Sequence, residues 1–88
     1  MTIKIEKHTL DRASERGASE IEIMEVLDSG FAINAKNERF GKAKVFAFND
    51  IRNNKYYKHK RVEVIYTIQD NIIVTVTVYV FYGEWELI

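Results

Sequence analysis

The chain has 88 residues, of which 47% are apolar, 30% charged and 12% aromatic, and its 13 basic and 13 acidic side chains give a formal net charge of zero. This length and composition predict one small globular domain over residues 1–88 and exclude a disordered chain. The chain has no cysteine, which excludes disulfides and thiol chemistry, and its apolar runs are too short for a membrane-spanning helix. We therefore expect a cytoplasmic protein that does not contact a membrane.

The N-terminal third predicts one strand and two short helices. Their ranges are residues 2–6 for the strand, and 8–16 and 20–29 for the helices. Alternating polarity indicates the strand, and Gly17 is a typical C-cap for the first helix. Ser19 and Glu22 have the spacing of a capping box for the second helix, and Gly30 ends it. The short connection predicts a helical hairpin.

The rest of the chain predicts four strands. They cover residues 31–35, 44–48, 58–68 and 72–82. In the last two strands the even positions are nearly all apolar, so they should face each other, which requires a three-residue loop through Asn71. Arg61 then lies opposite Tyr79, and Glu63 lies opposite Thr77. The predicted fold is an α+β domain of order β-α-α-β-β-β-β, with the hairpin packed on a mostly antiparallel twisted sheet.

The first predicted helix carries a stripe of His8, Arg12 and Arg16. At about 100° per residue these positions fall within about 80° of one another, and the stripe should point away from the sheet. Two like charges four residues apart do not stabilise a helix, so helix stability does not explain the pair. A histidine can transfer a proton and two guanidiniums can bind a phosphate, as metal-independent RNA cleavage requires. A solvated face paired with Asp11 and Glu15 is the alternative.

Charge is segregated along the chain. Between Lys36 and Arg61 there are nine basic and two acidic residues, a net charge of +7, which leaves −7 elsewhere, mainly between Asp11 and Asp28. This predicts one electropositive and one electronegative side, and the first suits contact with nucleic acid. The candidate nucleic-acid contacts are Lys42, Lys44, Lys55, Tyr56, Tyr57, Lys58 and Lys60. Solvated loop lysines are the alternative interpretation.

Three residues of the predicted sheet are further catalytic candidates. His59 could be a second acid/base partner to His8, with Arg61 on the phosphate, or an ordinary strand-end residue. Tyr79 could position the substrate, or simply pack with its hydroxyl satisfied. Two isolated histidines are too few for a metal site, and no glycine-rich phosphate loop is present, so no metal or cofactor is expected.

The segment HTLDRASERGASEIEIMEVL resembles a family of short bacterial, archaeal and phage domains that opens with His-x-x-x-Arg-x-x-x-Arg-Gly. The matching residues are His8, Arg12, Arg16 and Gly17, and the late strand IIVTVTVYV is also similar to the closing strand of that family. The family is grouped with RelE- and BrnT-like toxins and with barnase-, EndoU- and colicin-like ribonuclease folds. The resemblance implies a RelE-like domain, RNA cleavage without a metal, and control by an antitoxin protein. The zero net charge departs from the basic character usual among RelE-like toxins.

The sequence alone is therefore compatible with three functions. The first is a ribonuclease toxin that uses the His8 stripe. The second is a non-catalytic nucleic-acid-binding module that uses the basic block, and its binding should fall steeply with salt. The third is a protein-interaction domain that uses an exposed sheet edge or the acidic helix.

Overall fold

The computed structural model describes residues 2–86, which form a five-stranded mixed sheet with two helices on one face. The strands are β1 (Thr2–Lys4), β2 (Phe31–Ile33), β3 (Phe40–Arg52), β4 (Lys55–Gln69) and β5 (Ile72–Gly83), and the helices are α1 (Lys7–Arg16) and α2 (Glu20–Ser29). The sheet order is β1-β5-β4-β3-β2, with β1 parallel to β5 and the other pairs antiparallel. The predicted α+β fold and its element order are therefore confirmed. No helix within residues 2–86 is long and apolar enough to cross a membrane.

Local sequence signals determine where α1 ends and where α2 begins. Gly17 closes α1 in the left-handed region, at a φ of 94°. The Ser19 hydroxyl accepts the Glu22 N–H, and the Glu22 carboxylate accepts the Ser19 N–H, so the predicted capping box begins α2. The connection is short, but α1 packs mainly on β5, and α2 packs on β3 and β4. Each helix is therefore positioned by the sheet more than by the other helix.

The core lies between the helices and the covered face of the sheet. Ile23, Val26 and Val62 are fully buried in it, together with Val64 and Val78. One polar contact crosses this interface near the start of α1. It links buried hydroxyls of the helix and β5: the Thr75 Oγ1 donates to the Thr9 Oγ1 at 3.0 Å and accepts the Glu6 N–H at 3.0 Å. A buried hydroxyl without a hydrogen-bond partner lowers the stability of the fold. This contact therefore fixes the position of the start of α1 relative to β5.

The β4–β5 register differs from the prediction at the turn. The connection is a two-residue turn, Asp70–Asn71, in which both residues have positive φ, and Gln69 pairs with Ile72. Asp and Asn tolerate this conformation better than other side chains. The predicted three-residue loop is therefore wrong by one residue.

β5 contains a β-bulge at Val76. Ile65 pairs with Thr77 while the next residue, Tyr66, pairs with Thr75, so Val76 has no partner in β4. The bulge changes which β5 positions face the helices, from odd-numbered ones such as Thr75 to even-numbered ones such as Val78. Apolar residues of the two strands consequently still face each other, but as Val62–Val80 and Val64–Val78, two residues away from the partners that the predicted loop would give.

The same shift corrects two predicted cross-strand pairs. Arg61 lies opposite Phe81 rather than Tyr79. Glu63 lies opposite Tyr79 rather than Thr77. These residues occupy the face of the sheet that the helices leave uncovered, which we call the open face.

Candidate functional site

The His8 stripe lies along an unpaired edge of β5. Since β1 pairs with β5 only as far as Val74, the rest of that edge has carbonyl groups without a neighbouring strand in residues 2–86. The His8 Nε2–H donates to the Val76 carbonyl at 2.6 Å, and an Arg16 guanidinium N–H donates to the Val78 carbonyl at 2.6 Å. The expectation that the stripe points away from the sheet is therefore wrong for both residues.

The hydrogen bond to Val76 determines what the imidazole of His8 can do. A carbonyl oxygen only accepts, so Nε2 carries the hydrogen. In the neutral ring Nδ1 then has the lone pair, and the side chain is exposed. α1 begins at Lys7, so His8 is inside the first turn and in helical register with Arg12. The imidazole is thus oriented by the scaffold while its basic nitrogen stays accessible.

The two arginines of the stripe have different surroundings. The Arg16 guanidinium carbon lies 5.4 Å from the centre of the Tyr79 ring, so this side chain is held by a carbonyl and an aromatic face together. Arg12 lies between His8 and Arg16, about 6 Å along the helix axis from each. Its side chain is 53% exposed and pairs with Glu15 at 3.1 Å. Exposed pairs of this kind contribute little stability, so Arg12 can exchange Glu15 for an anionic ligand.

His59 and Arg61 do not join this stripe. His59 is 5% exposed, and its Nδ1 accepts the Trp85 N–H at 3.1 Å, which holds the C-terminal segment against the sheet. It pairs with Gly83, seven residues along β5 from Val76, or roughly 20 Å at the rise of a strand. His59 and His8 therefore cannot act on one phosphate, which corrects the predicted acid/base pair. Arg61 lies on the open face, bonded to Glu63 at 2.8 Å.

Three lysines of the basic block form hydrogen bonds or ion pairs with the helical segment. Lys60 Nζ donates to the Gly17 carbonyl and to the Glu22 carboxylate, both at 2.8 Å. Lys42 donates to a carbonyl near the end of α2 at 2.8 Å, and Lys44 pairs with Glu25 at 3.2 Å. The basic and acidic segments therefore meet at the helix–sheet interface. The predicted division into an electropositive and an electronegative side is wrong for these lysines, and their contacts are structural.

The Lys60–Glu22 pair predicts a change of stability with pH. Burial opposes ionisation of Glu22, but hydrogen bonds from Lys60 and Ser19 outweigh it and hold the pKa of this carboxyl below its ordinary value of 4.5. A carboxyl with a lowered folded-state pKa stabilises the fold above the unfolded-state pKa, and this contribution is lost as the pH falls through the folded-state value. We expect Glu22→Gln to flatten the fall in the free energy of unfolding between neutral pH and about pH 3, measured by urea titration. Glu25→Gln, on the same helix but more exposed, is the control, and equal slopes for all three proteins would contradict the prediction.

The remaining candidate nucleic-acid contacts lie on the β3–β4 hairpin. Tyr56 is exposed, and its hydroxyl donates to Asn49 at 3.1 Å. Lys55 lies over the ring of Tyr57 at 5.5 Å, and Lys58 is 3.6 Å from Glu84. Lys55, Tyr56 and Lys58 remain exposed, so they are the part of the predicted nucleic-acid contact set that the fold leaves accessible.

The end of α1 is bound by two residues that the sequence analysis did not select. The Tyr82 hydroxyl donates to the Arg16 carbonyl at 2.7 Å, and Arg52 donates to the Glu15 carbonyl at 2.9 Å. Together with Lys60 on Gly17, they satisfy the last carbonyls of the helix, where cations also interact favourably with the helix dipole. These contacts fix the backbone from which Arg16 reaches β5. They join residues far apart in the chain, so no local pattern indicates them.

Cavities lie on both faces of the sheet. On the open face, a cavity of about 340 Å³ lies between the loop that carries Lys36 and Arg39 and the strand residues Glu63 and Tyr79. On the helical face, a groove of about 1000 Å³ has an apolar floor and an acidic rim. Its lining includes Ile3, Ile5, Met24, Ile73, Glu20 and Asp28. Neither cavity is lined by the His8 stripe, so a substrate of the stripe would lie along the exposed β5 edge.

Comparison with known proteins gives a family and no described relative. No curated protein and no solved structure matches the chain. The sequence model of DUF4258, a domain of unknown function, matches residues 5–80. That range includes both helices, the whole His8 stripe and the β5 bulge. The chain therefore belongs to the DUF4258 family.

Proposed function

We propose that this domain is a metal-independent ribonuclease toxin, with His8 as general base and with Arg12 and Arg16 on the scissile phosphate. The observation that carries the proposal is the hydrogen bond from His8 Nε2 to the carbonyl of the bulged residue Val76. It orients an exposed imidazole with its basic nitrogen free, as a general base requires. β-bulges often re-aim groups next to active sites, which agrees with this placement.

The chemistry uses groups on this surface, groups on the RNA and a water molecule. His8 Nδ1 takes the proton of a 2′-hydroxyl, the 2′-oxygen bonds to the adjacent phosphorus, and the bond from phosphorus to the 5′-oxygen breaks. The leaving 5′-oxygen takes a proton from water, so the products are a 2′,3′-cyclic phosphate and a 5′-hydroxyl. Arg12 and Arg16 stabilise the negative charge that develops on the phosphate oxygens. Tyr79 acts here by packing its ring against the Arg16 guanidinium.

The biological setting of the proposal comes from the resemblance of the His-x-x-x-Arg-x-x-x-Arg-Gly segment to toxin domains. It supports a cytoplasmic toxin whose activity an antitoxin protein controls. The fold order β-α-α-β-β-β-β agrees with that resemblance. The proposed reaction needs no cofactor.

The direct test uses the purified protein and two oligonucleotides of one sequence, all-ribose and all-2′-deoxyribose, in the presence of EDTA. We expect cleavage of the ribose strand only, with a 2′,3′-cyclic phosphate end identified by mass spectrometry, because the 2′-hydroxyl is the nucleophile. Cleavage of both strands, or an intact ribose strand at all protein concentrations, would overturn the proposal. Salt-dependent RNA binding without cleavage would favour a nucleic-acid-binding module on the exposed hairpin residues Lys55, Tyr56 and Lys58.

A further inference from the structure

The open face of the sheet presents three large aromatic side chains to solvent. Tyr79, Phe81 and Phe31 are 42%, 48% and 49% exposed. The rings of Tyr79 and Phe81 are neighbours on one strand, stacked with their centroids 6.5 Å apart and their planes 28° apart. Contiguous exposed apolar side chains mark binding sites more than isolated ones do.

Cations alternate with these rings. Arg16 lies over Tyr79 at 5.4 Å, and Arg61 lies over Phe31 at 5.2 Å. Glu63 is the acidic residue among them, and its carboxylate is bonded to Arg61 at 2.8 Å. Flat rings interleaved with guanidiniums suit a ligand that has both planar groups and negative charges, such as a strand of nucleic acid.

The loop beside this face adds two more basic residues. Lys36 and Arg39 line the 340 Å³ cavity next to Tyr79. Between them Asn37 and Glu38 both have positive φ, at 60° and 59°. This conformation is tolerated by asparagine and unfavourable for glutamate. The backbone bond from the Arg39 N–H to the Lys36 carbonyl, at 3.3 Å, closes the loop and keeps both basic residues near the open face.

The open face and the proposed catalytic stripe are continuous. Tyr79 follows Val78, whose carbonyl binds Arg16, so the same guanidinium contacts the β5 edge and the aromatic surface. The groove on the helical face offers the opposite chemistry, since Glu20 and Asp28 lie at its rim. Charge therefore favours the open face for a polyanion.

We infer that the open face binds single-stranded RNA by stacking unpaired bases on Tyr79 and Phe81, with the backbone passing Arg16 toward His8. The inference rests on the proposed ribonuclease function and adds the class of its substrate. Bases in a duplex are stacked on each other and cannot reach these rings, so the substrate is a single strand or an unpaired loop.

The test measures binding separately from cleavage. The probe is a labelled 2′-O-methyl RNA of about 12 nucleotides, which lacks the nucleophile and stays intact; the site sizes known for single-strand binding folds set this length. We expect fluorescence anisotropy to show tighter binding of the single strand than of its duplex. Phe81→Leu should weaken single-strand binding about tenfold, because it removes one of the two rings on which bases stack.

Tyr56→Leu is the matched control, because Tyr56 is also an exposed aromatic residue, 59% exposed, and lies near the turn of the β3–β4 hairpin. It should bind as wild type does. Equal affinity for single strand and duplex, or equal losses for Phe81→Leu and Tyr56→Leu, would overturn the inference, provided that thermal melting shows both variants folded. The two proposals fail separately: a chain that cleaves RNA but binds both forms alike refutes only the open-face inference, and one that binds through Phe81 without cleaving refutes only the ribonuclease.

Discussion

Replacing His8 with alanine is expected to lower the rate of RNA cleavage by at least about 100-fold, because a positioned general base contributes about 10²- to 10⁴-fold to the rate. Stability should change little. The His8 side chain is exposed, and its one hydrogen bond, to the Val76 carbonyl, can be replaced by water. Single-turnover cleavage kinetics and thermal melting on the same preparations measure the two effects.

A second variant separates orientation from chemistry at this position. The amide N–H of His8→Gln can still donate to Val76, but the amide offers no basic nitrogen. We expect this variant to have the melting temperature of the wild type and to cleave RNA as slowly as His8→Ala does. If either variant instead cleaves normally and melts at a lower temperature, His8 is only an anchor for α1, and the catalytic role is wrong.

Gly17→Ala is expected to destabilise the domain by about 2–4 kcal/mol. Gly17 has a φ of 94°, where a side chain strains the backbone. A Cβ there would also overlap the Tyr82 hydroxyl and lie against the Arg52 guanidinium, both of which bind the end of α1. The substitution therefore combines backbone strain with the displacement of two helix-capping contacts. Urea denaturation measures the loss as a lower midpoint.

Two further variants identify the cause of that loss. Tyr82→Phe removes the hydroxyl that the new Cβ would meet, so Gly17→Ala should cost less in a Tyr82→Phe background than alone. Gly83→Ala is the control, because its φ is not in the left-handed region and its Cβ would meet only the edge of the Trp85 ring. A loss for Gly17→Ala no larger than that for Gly83→Ala would contradict the assigned role of Gly17.

The sequence predicts those features that depend on neighbouring residues. Gly17, the Ser19–Glu22 box and Gly30 each act within one turn of helix, so their pattern is sufficient to locate the helix ends. The alternating apolar residues of β4 and β5 likewise predict strands. The pattern does not distinguish a three-residue turn from a two-residue turn followed by a bulge at Val76, because both place apolar even-numbered residues opposite each other. The partners differ by two residues, since Val62 would lie opposite Val78 in the first arrangement and lies opposite Val80 in the second.

The candidate site is harder to predict because its contacts are long-range. Helical spacing shows that His8 and Arg16 share a face, but not that β1 ends early and leaves the β5 carbonyls for them to bind. The count of basic residues shows a charged block, but not that Lys60 turns inward to Glu22. His59 looks like a free strand-end imidazole until the C-terminal segment folds back and Trp85 binds it.

The bulge at Val76 has a consequence for chain length. If Val76 were deleted, Thr75 would still pair with Tyr66 and Thr77 with Ile65, the Asp70–Asn71 turn would be unchanged, and β5 would alternate regularly from end to end. The pairing of β4 with β5 would therefore be complete in a chain that is one residue shorter. Val76, which the pairing does not need, is the residue whose carbonyl accepts the hydrogen bond from His8. A chain without Val76 would therefore keep the sheet and lose the contact that orients the proposed general base.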